Sequence, residues 1–128
     1  MAPAAVDDRW VLGVHTPEYV KALQTLTVSP AMVRRIGFPL TRELIEREWV
    51  ITQGTIDCTQ YAKTDGVALN IAGGTHHAYP DRGEGFCLLN DVGVAAHYLL
   101  ETNQARKIVV IDLDVHQGNG TAVMFQHD

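Results

Sequence analysis

Two strand patterns with a helix pattern between them leave few folds open to the second half of the chain. Residues 67–72 read VALNIA and residues 107–113 read KIVVIDL. Between them, the apolar residues of 91–101 recur at the i, i+3, i+4, i+7 spacing of a helix with one buried face. A strand, a helix and a strand in this order form a βαβ unit with parallel strands and a right-handed crossover. We therefore predict an α/β protein with a partial open parallel sheet in a three-layer fold.

Each strand pattern is followed by a polar loop rich in glycine. The first loop, residues 73–85, reads GGTHHAYPDRGEG, and the second, residues 114–120, reads DVHQGNG. Open α/β sheets bind their ligands at the carboxyl ends of parallel strands. The polar side chains of the two loops are therefore predicted to meet in one site.

The first half of the chain carries helix signals. Thr16 followed by Pro17 marks a helix start, and Thr41 marks a second helix that extends to the low sixties. Residues 29–39, with two of the five prolines, are predicted to be a loop. A last helix is predicted to begin near Thr121.

Asp112, Asp114 and His116 stand at alternate positions where the second strand pattern ends. On a straight strand, Asp112 and His116 would lie roughly 13 Å apart, at ~3.3 Å per residue. A zinc ion holds its ligands at only ~2 Å, so the three cannot share one ion. The simplest solution ends the strand near Asp114. Asp114 and His116 then bind a metal, and Asp112 supports another side chain.

The adjacent His76 and His77 are suited to proton transfer, because imidazole titrates near neutral pH. On a loop that begins with glycine both rings can turn toward one site. A carboxylate behind one ring would fix its tautomer, and a neutral amide behind the other would leave that ring less basic. Asp112 and Asn119 are the available partners of these two kinds. A solvated surface pair of histidines is the alternative.

Composition and charge exclude several classes of protein. The net charge is −5 and no run of Lys or Arg exceeds two residues, which argues against direct nucleic-acid binding. No apolar run approaches the ~20 residues of a membrane span. Asp7 and Asp8 lie where a signal peptide would be apolar. Cys58 and Cys87 form no CxxC motif and are expected to be reduced thiols, so a cytoplasmic protein is expected.

The segments GGTHHAYPDRGEGFCLLND and IDLDVHQGNG resemble the histone deacetylase family of the arginase/deacetylase superfamily. The HQGNG form, together with RRIGFPLT at residues 34–41, is most similar to the class IV type and its bacterial relatives. The resemblance implies an arginase/deacetylase-like fold. It also implies zinc-dependent hydrolysis of an acyl-lysine amide, with an acetyl or a longer acyl chain.

The resemblance also implies roles for individual residues. Tandem histidines, the carboxylate that orients the first of them and the residue that faces the second correspond to His76, His77, Asp112 and Asn119. Two of the three zinc ligands correspond to Asp114 and His116. The wall of the acyl-lysine channel corresponds to Gly85 and Phe86, although a lone Phe also suits a core position. In many relatives, backbone groups around the two aspartates and His116 hold a monovalent cation, usually potassium.

The implied mechanism assigns different tasks to the two histidines. His77 takes a proton from water and later protonates the leaving amine. His76, paired with Asp112, stabilises developing charge. Zinc is the expected ion, but two oxygen and nitrogen ligands do not distinguish it from ferrous iron.

The family's third zinc ligand and its oxyanion-stabilising tyrosine lie downstream of this sequence. We therefore expect residues 1–128 to be an incomplete, N-terminal part of a deacetylase domain. Such a polypeptide alone is expected to have little activity, to expose a sheet edge and to aggregate.

Three other functions compete with this interpretation. An enzyme for acetylpolyamines or another small acylated amine would share the metal chemistry. An arginase-type dimanganese enzyme is disfavoured, since it prefers D-x-H-x-D where this chain has D-x-D-x-H. A module that binds acyl-lysine without turnover, or serves as an interaction surface, belongs to a different class.

Overall fold

The computed structural model describes residues 3–127, and these residues form six helices joined by irregular segments. The helices are α1 (Asp8–Val11), α2 (Pro17–Gln24), α3 (Pro30–Ile36), α4 (Arg42–Asp65), α5 (Asp91–Glu101) and α6 (Asn119–Met124). The predicted helices that follow Thr16 and Thr41, and the one over residues 91–101, are confirmed. No helix in this part of the chain is long and apolar enough to cross a membrane.

Side-chain caps explain where five of these helices begin. In each case an oxygen of the preceding residue accepts a hydrogen bond from a backbone N–H of the first turn. The capping residues of α1 to α5 are Asp7, Thr16, Ser29, Thr41 and Asn90. The last helix, α6, begins without such a cap, and it is held by its contacts with the rest of the molecule.

The prediction of a loop over residues 29–39 was wrong, because α3 occupies most of it. Ser29 caps the helix and Pro30 fits its first turn, where a missing N–H costs nothing. Gly37 ends the helix in the left-handed conformation, at φ 90°. These start and stop signals are present in the sequence, but the two prolines were interpreted as loop residues.

The core lies between the long helix α4 and the shorter helix α5. Trp49 and Ile56 of α4 and Val94 of α5 are buried in it, together with Leu88 and Leu89 from the segment before α5. The Trp49 indole N–H also donates to Asp8 Oδ1 at 2.7 Å, which ties α1 to the same core. This packing fixes the start of α5, and the start of α5 in turn holds the polar loop of residues 73–85.

The predicted parallel sheet is not confirmed. Residues 3–127 contain no strand, and their β pairing is limited to an isolated antiparallel bridge between Glu84 and Cys87. Residues 67–72 and 107–113 are irregular and expose apolar side chains. Ile71 is 102% exposed, Leu69 86% and Leu113 91%. A strand needs a partner for its backbone groups and a covered apolar face, and the described residues provide neither for these segments.

Candidate active site

The loop that carries the two histidines is held by a buried carboxylate. Asp91, in the first turn of α5, is 1% exposed and accepts hydrogen bonds from the backbone N–H groups of Gly74 and Thr75. Its oxygens also accept from the hydroxyls of Thr75 at 2.7 Å and Thr55 at 2.5 Å. One side chain thus joins α4, α5 and the residues directly before His76.

Both predicted partners of the tandem histidines are in hydrogen-bond contact with them. His76 Nδ1 lies 2.6 Å from Asp112 Oδ2, and His77 Nδ1 lies 2.7 Å from Asn119 Oδ1. The ring centroids are 4.3 Å apart. Helix α6 reaches this position because the Thr121 N–H donates to the carbonyl of His76 at 3.1 Å. The catalytic roles of these residues stay predictions.

The two histidines differ in the charge of their partners. The hydrogen bond from His76 lowers the pKa of Asp112, and the backbone N–H of Asp114 adds to this effect. An ionised carboxylate only accepts hydrogen bonds, so it keeps the proton of a neutral His76 on Nδ1. Asn119 offers His77 a neutral amide instead. The two adjacent rings therefore have hydrogen-bond partners of different charge.

Asp114 and His116 lie side by side next to the histidine pair. Asp114 Oδ1 is 2.9 Å from His116 Nδ1 and 4.0 Å from His76 Nε2. Hydrogen bonds from His116, first from its backbone N–H, lower the pKa of Asp114. As the distance argument predicted, Asp112 contacts an imidazole of the loop while Asp114 is grouped with His116.

Asp114 and His116 are suitable metal ligands by residue type, but two ligands are fewer than a metal ion usually takes from a protein. Asp114 Oδ1 and His116 Nδ1, which are 2.9 Å apart and hydrogen-bonded to each other, are oxygen and nitrogen donors of the kinds that zinc binds. However, among residues 3–127 no group of three His, Cys, Asp or Glu side chains is placed to hold one ion. The described chain therefore offers a pair of ligands, where zinc usually takes at least three from the protein.

Gly85 lies against the ring of His77, and Phe86 follows it in the chain. A Cβ at Gly85 would lie 2.8 Å from the His77 ring, so the close approach requires glycine. Phe86 is 62% exposed, and its ring centroid is 5.0 Å from that of Phe38. Phe38 was not predicted as a site residue, although it directly follows Gly37 in the sequence. The exposed rings of Phe38 and Phe86 thus form an aromatic wall one residue along the chain from Gly85.

Tyr79 and His15 were also missed as contributors to the site. The Tyr79 hydroxyl accepts a hydrogen bond from Asn119 Nδ2 at 2.9 Å. His15 supports the loop by donating from Nδ1 to the Tyr79 carbonyl. Burial lowers the pKa of His15 to about 4. No local pattern could reveal a contact between residues 64 positions apart.

Comparison with known proteins gives one consistent family. The family model described as histone deacetylase domain matches residues 1–128. An uncharacterized protein of Picosynechococcus sp. is 44% identical over 126 residues, which cover 98% of this chain and 42% of that protein. Histone deacetylase 2 of Arabidopsis thaliana is 32% identical over 86% of this chain and 30% of its own length.

A solved structure agrees with the sequence matches. The crystal structure of an HDAC homolog from Aquifex aeolicus superposes with a TM-score of 0.80 at 27% identity. The match covers 96% of this chain and 35% of that one. The chain therefore spans less than half the length of the relatives it matches.

Proposed function

The chain belongs to the histone deacetylase family, and from this premise we propose that it supplies part of a metal-dependent site that hydrolyses the amide of an acylated lysine. The observation that carries the proposal is the pair of unlike histidine partners. Asp112 lies 2.6 Å from His76 and Asn119 lies 2.7 Å from His77, with Asp114 and His116 beside them. A surface pair of histidines would have no reason to meet a carboxylate and an amide in this order.

Asp114 and His116 are the proposed metal ligands, and the complete domain would add at least one more. Zinc is the expected ion, and ferrous iron accepts the same kinds of donor. When bound, the ion supplies Lewis-acid chemistry that polarises an amide carbonyl. A structural potassium ion held by backbone groups around Asp112 is a further prediction.

The two histidines are proposed to divide the proton chemistry. With its Nδ1 proton donated to Asn119, His77 keeps a lone pair on Nε2 that can take a proton from water. The same nitrogen then returns the proton to the leaving amine. His76, held by the ionised Asp112, would stabilise negative charge that develops on the substrate in its protonated form, in which Nε2 also carries a hydrogen.

The exposed aromatic wall favours an acylated lysine side chain as substrate. The rings of Phe86 and Phe38 can line the alkyl stem and acyl chain, and Gly85 leaves room beside His77. This wall does not fix the length of the acyl chain. A small acylated amine remains the second candidate, and hydrolysis of acetylpolyamines in preference to acyl-lysine peptides would select it.

A chimera tests the proposed reaction and the role of His77. This chain would replace the matching region of the Picosynechococcus relative, and release of acetate or longer acids from acyl-lysine peptides would be measured. We expect hydrolysis, and His77→Ala should lower kcat by roughly 10²- to 10⁴-fold because the general base is lost. The exposed His127→Ala serves as the matched control. Hydrolysis by the intact relative but not by the chimera would count against the proposal.

The 128-residue chain alone is expected to bind zinc weakly and to show little turnover, because it offers two metal ligands. Metal content of the purified chain and an acyl-lysine hydrolysis assay check this expectation. Stoichiometric zinc together with measurable turnover would contradict it. Tight binding of an acyl-lysine peptide without turnover, lost in Phe86→Ala, would favour the non-catalytic binding module.

A further inference from the structure

Asp91 is a buried carboxylate whose hydrogen bonds point away from its own helix. It is 1% exposed and lies in the first turn of α5, but Asn90 already caps that helix by accepting from the Gly93 N–H at 2.9 Å. Asp91 instead accepts from the backbone N–H groups of Gly74, at 3.1 Å, and Thr75, at 2.8 Å. The start of α5 therefore does not account for these contacts.

The backbone of Gly74 and Thr75 connects this carboxylate to His76. The Gly74 N–H donates to both oxygens of Asp91, and the Gly74 carbonyl accepts from the backbone N–H of His76 at 2.9 Å. Thr75 donates to Asp91 Oδ1 from its N–H and also from its hydroxyl, at 2.7 Å. The direction in which the His76 side chain leaves the backbone therefore depends on Asp91. That direction brings His76 Nδ1 to 2.6 Å from Asp112 Oδ2.

Gly73 allows the carboxylate to come this close to the backbone. A Cβ at Gly73 would lie 2.5 Å from Asp91 Oδ2 and 2.9 Å from Thr55 Oγ1. Both distances are shorter than a real Cβ contact, so a side chain at this position would displace Asp91 or Thr55. Residues 73–75 thus form a receptor for the carboxylate directly before His76.

The contact requires a hydrogen-bond acceptor and not only a side chain of the right shape. A backbone N–H donates and never accepts, so the group that faces Gly74 and Thr75 must offer an oxygen. An asparagine at position 91 can place its carbonyl oxygen there and direct its NH₂ group to the Thr55 hydroxyl, which can accept. A leucine has a similar shape but offers no acceptor.

We propose that Asp91 is a positioning residue: through the backbone of Gly74 and Thr75, its carboxylate holds the His76 ring against Asp112. Asp112 cannot fix the ring by itself, because its neighbours Ile111 and Leu113 are 76% and 91% exposed. Asp91 is anchored in the core and supplies the fixed support. The catalytic meaning of this inference rests on the proposed function, but the contact itself does not.

Amide hydrogen exchange in the 128-residue chain tests the contact without any substitution. After correction for residue type, we expect the N–H groups of Gly74 and Thr75 to exchange at least roughly tenfold more slowly than that of Ile71. The Ile71 N–H has no hydrogen-bond partner among the described residues. Gly74 is itself exposed, so exclusion of water would not explain its protection. Exchange of both groups at the rate of Ile71 would overturn the inference.

Two substitutions of Asp91 test its effect on His76. In Asp91→Leu, the nitrogen-15 NMR signals of the His76 ring should move toward those of the exposed His127, because the contact with Asp112 is lost. In Asp91→Asn they should stay close to the native signals. The signals of His76 would be assigned by their loss in His76→Gln.

The same two substitutions in the chimera test the catalytic meaning. Asp91→Leu should lower kcat by roughly 10- to 100-fold with little change in KM, because His76 is displaced while substrate binding is kept. Asp91→Asn should retain most of the native kcat. A loss in Asp91→Asn as large as that in Asp91→Leu would count against a role based on an acceptor oxygen.

Controls separate this role from a general loss of stability. Glu48 is another buried carboxylate, 4% exposed, and its hydrogen bond is to Arg47 of the same helix. Glu48→Met should therefore leave the His76 signals and kcat unchanged, whatever its effect on stability. Circular dichroism would verify the fold of each variant. Gly73→Ala, which directs a Cβ at Asp91 Oδ2, provides a second route to the same losses if Asp91→Leu does not fold.

Native His76 signals in folded Asp91→Leu, or in Gly73→Ala, would overturn the inference. Losses in Glu48→Met as large as those in Asp91→Leu would also overturn it, since they would reflect stability and not position. Failure of the chimera with native Asp91 to hydrolyse acyl-lysine would instead remove the proposed function. The exchange and NMR results come from the chain itself and would stand on their own.

Discussion

His15 shows how one buried residue makes stability depend on pH. The side chain is 2% exposed and its two nitrogens are occupied by the Tyr79 carbonyl and the Asn90 N–H. Protonation would place a second hydrogen against the N–H of Asn90, within a site that excludes water. Burial accordingly lowers the pKa of His15 from 6.5 to about 4, in spite of the backbone hydrogen bonds that raise it.

We expect the free energy of unfolding to fall by roughly 3 kcal/mol as pH decreases from about 6.5 to about 4, through this residue alone. In this range His15 binds a proton in the unfolded chain but not in the folded chain. The contribution of His15 to stability is therefore fully present above pH 6.5 and is lost progressively as the pH falls to about 4. Urea unfolding at a series of pH values measures the slope. His15→Gln should flatten the curve in this window, and the exposed His127→Gln should not. Equal slopes in the native chain and His15→Gln would contradict the assignment.

The sequence predicted which residues contact the two histidines better than it predicted which residues hold those partners in place. Residue types indicated Asp112 and Asn119 as the partners of the two histidines, and the family resemblance implied which histidine each partner faces. Both contacts are present in the structure. Tyr79 could not be found in this way. Its hydroxyl contacts Asn119, which lies 40 positions away along the chain, and no local pattern indicates such a contact.

Helix α6 is positioned by close packing against the loop that carries His76 and His77. A Cβ at Gly120 would lie 2.4 Å from the Ala78 carbonyl oxygen and 2.6 Å from that of His76. Both are backbone atoms, which cannot move aside as a flexible side chain would. Glycine at this position therefore permits the approach that brings Asn119 to His77.

Gly120→Ala is expected to lower the free energy of unfolding by about 1–3 kcal/mol and to displace α6 from the loop. This displacement should weaken the contact between Asn119 and His77, and nitrogen-15 NMR signals of the His77 side chain would report the change. Val123→Ala, at a residue 38% exposed in the same helix, should change stability by less than ~0.5 kcal/mol. Wild-type stability and His77 signals in Gly120→Ala would show that the packing is looser than described.

Helix starts were the most predictable elements. Thr16, Thr41 and Asn90 cap helices where the sequence indicates them, since capping depends on neighbouring residues. A strand needs a pairing partner from a distant part of the chain, and no such pairing forms among the described residues. Local signals therefore predicted the helices better than the sheet, which is not confirmed.

Each of the two segments predicted as strands exposes apolar side chains on the surface of the molecule. In residues 67–72 the exposed side chains include Leu69 and Ile71, and in residues 107–115 they include Ile111, Leu113 and Val115. Single exposed apolar residues are ordinary, but clusters this exposed favour association or aggregation. These two segments are where we expect the aggregation predicted from the sequence to begin.

We expect Leu69→Lys and Ile71→Lys, alone or together, to reduce self-association of the 128-residue chain without lowering its thermal midpoint. Their side chains are 86% and 102% exposed, so the substitutions remove no packing. Sedimentation velocity over a range of concentrations measures the effect. Tyr61→Lys, which removes an exposed apolar ring outside both segments, is the control and should leave association unchanged. Unaltered association in the double variant would place the contact elsewhere.

The partners of the two histidines lie in parts of the chain with unequal support, and this gives the site an order of assembly. Asn119 belongs to a helix docked on the loop, so the arrangement around His77 is complete within these residues. Asp112 belongs to an exposed segment, in which the side chains on either side of it, Ile111 and Leu113, are 76% and 91% exposed. A partner that covered that segment would therefore act first on His76 and on Asp114 and His116, the two proposed metal ligands. The surroundings of His77, the proposed base, would change less.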